Sequence, residues 1–98
     1  MTDTQSFQMP STKTFENVLR LAVREDKPVM YDYWIDSCEK ECFIGIKESG
    51  DKLLVRSSDE YTSPISKIYK CDTEYIIVTE NSIYIVRNHI DTAPLSSA

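Results

Sequence analysis

Cys38, Cys42, Cys71 and His89 carry the donor types of a Cys₃His zinc site. Structural zinc takes four such ligands in a tetrahedron, usually with a pair on a tight knuckle. Here three residues separate Cys38 from Cys42, no glycine lies between them, and Cys71 and His89 are eighteen positions apart. That spacing favours unliganded thiols, so neither a metal nor a cofactor is expected. A Cys38–Cys42 disulfide could close across a hairpin mouth. An odd cysteine count without an export signal points instead to reduced thiols. No CxxC redox motif occurs.

The catalytic inventory is equally thin. The single histidine, His89, stands at the start of the C-terminal tail. A nucleophile–histidine pair needs that ring fixed and oriented by a carboxylate, whereas a residue beside a chain end is more often exposed. Asp32 and Asp36 would share one face of a strand at about 13 Å, too far apart to act on one bond. The only glycines are Gly45 and Gly50, so no GxGxxG or GxxxxGK phosphate loop can be written. The chain is therefore expected not to be an enzyme.

Charge narrows the partners. The net charge is −5, from 11 basic and 16 acidic residues. Residues 1–36 carry −2 and residues 37–98 carry −3, so the acidity is spread evenly. No Lys/Arg run exists that could neutralise several phosphates, which disfavours nucleic acid and anionic lipid as partners. A nucleic-acid mimic would need dense carboxylates, and lysines are interspersed here. The segment "MTDTQSFQMPSTK" has no apolar h-region, and no apolar run approaches the ~20 residues of a spanning helix. No membrane association is expected, and the default location is cytoplasmic.

The elements that must position these residues follow from periodicity. Residues 1–11 read as a flexible arm. Ser11 or Thr12 can cap a helix over 12–26, with Phe15, Val18, Leu19 and Ala22 as its apolar stripe. Pro28 ends it. From there the period changes to two. "VMYDYWID" reads as a strand with Val29, Tyr31, Tyr33 and Ile35 on one face and Met30, Asp32, Trp34 and Asp36 on the other. "CFIGIKE", "KLLVRS" and "YTSPISKIYK" give three more strands, the last starting late, bulged or at an edge because of Pro64. "TEYIIVTE" and "SIYIVRN" form the clearest hairpin, with 75–78 and 83–86 as paired central strands and Asn81 suited to a left-handed turn. Residues 89–98 read as a flexible, polar tail. The expected fold is α+β: an N-terminal helix packed on a curled antiparallel sheet or small barrel of five to six strands, one domain over 12–88.

The stretch "YDYWIDSCEKEC" concentrates aromatic and acidic side chains. If Val29, Tyr31, Tyr33 and Ile35 face the core, Trp34 is left outside between Asp32 and Asp36. An aromatic with a charged rim has the composition of a protein-binding patch. A sheet covered on both faces would bury the same residues, and both readings stand at this level. Tyr31, Asp32, Tyr33, Trp34 and Asp36 are accordingly the candidate binding residues.

The order of the helix, "KPVMYDYW", "KLLV", "YTSPISKIYK" and "EYIIVTENSIYIV" resembles short uncharacterised α+β proteins of large eukaryotic DNA viruses, over residues 14–87. No catalytic residue can be carried across. The resemblance implies a virion component or a host-directed accessory protein, located in the host cytoplasm or the virion. The expected function is a small non-enzymatic protein-interaction module. It would engage a protein partner or self-associate, through an edge strand or the Trp34 face. The alternative is a small-ligand binder that sequesters a nucleotide or metabolite between Tyr and Trp rings.

Overall fold

The computed structural model describes residues 9–95. Helix α1 spans Thr12–Glu25, close to the expected 12–26. The Ser11 hydroxyl accepts from the Thr14 amide at 3.1 Å, satisfying one of the orphan donors at the helix start. Asp26 closes the helix in the left-handed region at φ 56°, and Pro28 prevents its continuation. The buried face is Thr14, Val18 and Leu21, with Phe15 and Ala22 beside it. Leu19, expected in the stripe, lies on the outer side.

Among the described residues eight strands follow rather than five or six: β1 (Val29–Met30), β2 (Phe43–Ile46), β3 (Lys52–Ser57), β4 (Glu60–Tyr61), β5 (Ile65–Cys71), β6 (Glu74–Thr79), β7 (Ile83–Arg87) and β8 (Asp91–Pro94). They form two four-stranded mixed sheets, β1-β7-β6-β5 and β4-β3-β2-β8, so the α+β class holds while the single curled sheet or barrel does not. Two parallel pairings, β1 with β7 and β2 with β8, have no counterpart in the antiparallel expectation. Parallel partners are distant in sequence, and a two-residue strand leaves no readable period. No described helix is long and apolar enough to cross a membrane.

The first sheet is the middle layer. On β6 and β7, Ile76, Val78, Ile83 and Ile85 pack with Val18 and Leu21 of α1. The alternate residues Ile77 and Val86 pack with Ile44 and Leu54 of the second sheet. A strand buried on both faces reads as an unbroken apolar run, which is why 75–78 and 83–86 look central in the sequence. They are central, paired antiparallel with Ile76 opposite Ile85. Their turn does not use a left-handed Asn81. The Thr79 hydroxyl instead accepts from the amides of Asn81 and Ser82 at 3.3 and 3.1 Å. Strand β5 starts after Pro64, is bulged between Ile65 and Lys67, and lies at the sheet edge.

Two further expectations need correction. Residues 29–36 are not one strand. Pairing to β7 stops at Met30, the Trp34 amide bonds the Tyr31 carbonyl at 3.1 Å, and a short helix α2 runs over Trp34–Cys38. The tail is not wholly irregular either, since Asp91–Pro94 pairs with β2 and the Leu95 amide bonds the Ile46 carbonyl at 2.8 Å. Gly45 makes room for this segment: a Cβ there would lie 2.8 Å from Leu95 Cγ. Residues 1–8, most of the expected N-terminal arm, lie outside the described residues; Pro10, within that arm, is buried.

Candidate functional site

The turn into α2 decides the fate of the five candidate residues. Tyr33 and Trp34 are adjacent and both buried, at 5% and 6% exposure. Trp34 enters the core between α1 and the first sheet, while Tyr33 enters the core between the two sheets. The outward Trp34 patch therefore does not form, because the alternation that would create it ends at Met30. Asp32 and Tyr31 stay exposed.

Arg56 on β3, which the sequence reading did not single out, fixes this segment. Its guanidinium donates to the Asp36 carboxylate and to the Asp32 carbonyl. It lies 4.6 Å from the centre of the Tyr33 ring, within cation–π range, and 3.7 Å from a Glu60 oxygen. Tyr84 packs edge-on against Tyr33 with ring centres 5.4 Å apart. Asp36 is therefore engaged in holding α2 on the second sheet. An arginine directly after the apolar run Leu53–Val55 is the available signal, but nothing in the spacing names a partner twenty residues away.

The thiols and the histidine are dispersed. Cys38 ends α2, Cys42 is buried before β2, and Cys71 ends β5; all three are free. Among the described residues no group of three or more His, Cys, Asp or Glu is placed to hold a metal ion. The His89 ring bonds the Ser37 carbonyl at 3.1 Å. The Ser37 hydroxyl is itself occupied, donating to the Trp34 carbonyl at 2.6 Å and accepting from the Arg87 amide at 3.0 Å. Burial pushes the Cys38 thiol up, against the opposing pull of Arg87.

Burial likewise raises the Cys42 thiol to about 12, with Asp36 adding to it, and the Tyr33 phenol to about 12 despite Arg56. Both folded values exceed the ordinary ones of 9.0 and 10.0. Their contributions are thus present below those ordinary values and are lost as pH rises towards about 12. Since the thiolate is the reactive form, native protein treated with a thiol reagent at mildly alkaline pH is expected to leave Cys42 unmodified until denaturant is added. Peptide mapping of the labelled protein checks this; modification of Cys42 at the rate of Cys71 would contradict it.

What the surface does offer lies on the two flanks of α1. Leu19 and Val23 are 58% and 84% exposed, and Phe15 begins the same i, i+4, i+8 row. The Phe15 ring lies 6.4 Å from that of Tyr31, joining the row to the half-exposed Tyr31. The opposite flank carries Lys13, Arg20 and Arg24, which fall within an arc of about 40° at ~100° per residue. The apolar row was obscured in the sequence because Leu19 and Val23 look like core residues. Which leucine of the Leu19–Leu21 pair faces inward depends on how the helix is docked. The chain matches no family model, and neither a curated protein nor a solved structure is significantly similar to it.

Proposed function

We propose that this chain is a small non-enzymatic protein-interaction module that presents the Phe15–Leu19–Val23 row, extended by Tyr31, to an apolar surface of a protein partner. The observation that carries the reading is the exposure of Leu19 and Val23 on a helix that already buries Val18 and Leu21 on its other side. A contiguous apolar strip beside polar residues is the composition of a contact surface. Tyr31 and Asp32, two of the residues expected to bind, border it. The resemblance to short proteins of large eukaryotic DNA viruses gives such a module a place as a virion component or accessory protein in the host cytoplasm. A ligand held between Tyr and Trp rings has less support, since Tyr33 and Trp34 are both buried.

Leu19→Glu combined with Val23→Glu tests the reading. Both positions are exposed, so stability is expected to stay within about 0.5 kcal/mol of the parent. Light scattering over a concentration series, with affinity capture from host lysate by both proteins, is the measurement. The expected result is an association or a captured protein that the double variant loses at least tenfold. A monomeric parent that captures nothing beyond what the variant captures would end the proposal.

A further inference from the structure

We propose that β5 and the basic flank of α1 form a docking groove for an extended acidic peptide segment of a partner protein, which pairs with β5 as an added strand. Strand β5 closes the first sheet on one side. Among the described residues, the backbone of Ile65–Lys70 bonds only within its pairing to β6. Such an edge presents alternate N–H and C=O groups ready to pair with another extended chain. Beside it, between β5 and α1, runs a groove of about 490 Å³.

The walls of that groove select for charge. Lys13, Arg20 and Arg24 line it from the helix. All three side chains are exposed, and none makes an ion pair among the described residues. Lys70 borders it from the strand, but its side chain alternates to the other face because Tyr69 and Cys71 face α1. Three of the 11 basic residues thus gather in one place on a chain of net charge −5. The acid among the lining residues, Asp72, is occupied in accepting from the Ser11 hydroxyl at 2.7 Å. Leu21, Tyr69 and Ile76 supply an apolar floor. Lysines on an edge strand also discourage aggregation, which accounts for Lys67 and Lys70 but not for three aligned cations on the facing helix.

A peptide added to β5 would send alternate side chains toward the groove, so acids at every second position meet the cations while the backbone completes the ladder. A nucleic-acid strand would find fewer advantages here: the acidic remainder of the surface repels a polyphosphate, and no row of exposed aromatic rings is present among the groove residues for bases to stack on. This surface is on the flank of α1 away from Leu19 and Val23, so it stands or falls separately from the apolar row.

Selection of a displayed library of random short peptides on the full chain tests it. Enrichment of Asp and Glu at alternating positions is expected, with amide shifts of 65–71 on titrating a selected peptide. Arg20→Glu with Arg24→Glu, and separately Lys13→Glu, should each weaken binding about tenfold, ~1.4 kcal/mol, while the Leu19→Glu, Val23→Glu protein binds as the parent does. Proline at a central position of the peptide should abolish binding. Circular dichroism establishes that the variants fold, and the single Lys13→Glu change provides the second route if the double variant does not. The proposal is overturned by a selected pool without acidic enrichment, by equal binding to the charge-reversed proteins, or by inorganic phosphate or a single-stranded oligonucleotide displacing the peptide at lower concentration than the peptide itself.

Discussion

Trp34→Ala is expected to destabilise the fold by about 4 kcal/mol, the largest loss for a single truncation in this chain. The indole is 6% exposed and packs with Val18, Leu21, Ile76 and Ile83. It begins α2, so its removal both opens a cavity and loosens the short helix joining the first sheet to the Arg56 anchor. In a domain of this size such a loss lowers the melting midpoint by roughly 20 °C. Trp34→Phe keeps most of the volume and is expected to cost only about 1.5 kcal/mol. Emission of the parent should be blue-shifted and poorly quenched by iodide, moving to the solvent-exposed value only on unfolding. A melting point unchanged by the alanine variant, or ready quenching of the native protein, would mean the ring is at the surface.

Trp34 also marks the point where the sequence ceased to be a sufficient guide. The β6–β7 hairpin was legible because four consecutive apolar residues on each strand have few other uses. Helix α1 was legible from Ser11, its period and Pro28. Between Pro28 and Cys42 the pattern is ambiguous in a specific way. "VMYDYWID" alternates like a strand, yet a side chain after Met30 is placed by the turn at Tyr31–Trp34 and not by parity. Adjacent Tyr33 and Trp34 then serve the cores on opposite sides of one sheet, an outcome no single-period pattern encodes. A five-residue helix is too short to display its own period. Strands β1, β4 and β8 have two to four residues each; β1 and β4 pair with the longer β7 and β3, and β8 matches β2 in length.

The candidate surfaces were less legible still. Leu19 and Leu21 are chemically identical, and only the docking angle of α1 makes one core and the other surface. Lys13, Arg20 and Arg24 form no run in the sequence, so the even spread of charge concealed their convergence. Helical geometry brings the three together on the flank beside β5. An absence of basic clusters along the chain therefore does not translate into an absence on the folded surface.

Glu74 carries the second large effect. It is 2% exposed, and a buried carboxylate must be paired or hydrogen-bonded to stay charged. Its Oε1 accepts from the Thr14 hydroxyl at 2.6 Å and the Ser11 amide at 3.3 Å, and its Oε2 from the Thr73 hydroxyl at 2.6 Å. Burial alone would raise its pKa, but the bonds from Thr14, Thr73 and Ser11 outweigh that and hold it below the ordinary 4.5. Because two of these three donors belong to the start of α1 or its cap, the carboxylate ties the helix N-terminus to β6, where negative charge is also favoured by the helix dipole. Glu74→Ala is expected to cost about 3 kcal/mol, since it strands several donors at once; Glu74→Gln keeps part of the network and should cost roughly half of that. The sign of the pH dependence follows from the depressed value. The contribution is complete above 4.5 and disappears as pH falls through the lower folded pKa. Urea denaturation of the parent and of Glu74→Gln across the acid range should therefore give two curves that are apart at neutral pH and converge well below 4.5. The other carboxylates titrate alike in both proteins, so the difference isolates this one. A gap that stays constant on acidification would show that the charge on Glu74 does not hold α1 to the sheet, and that the glutamine acts through shape alone.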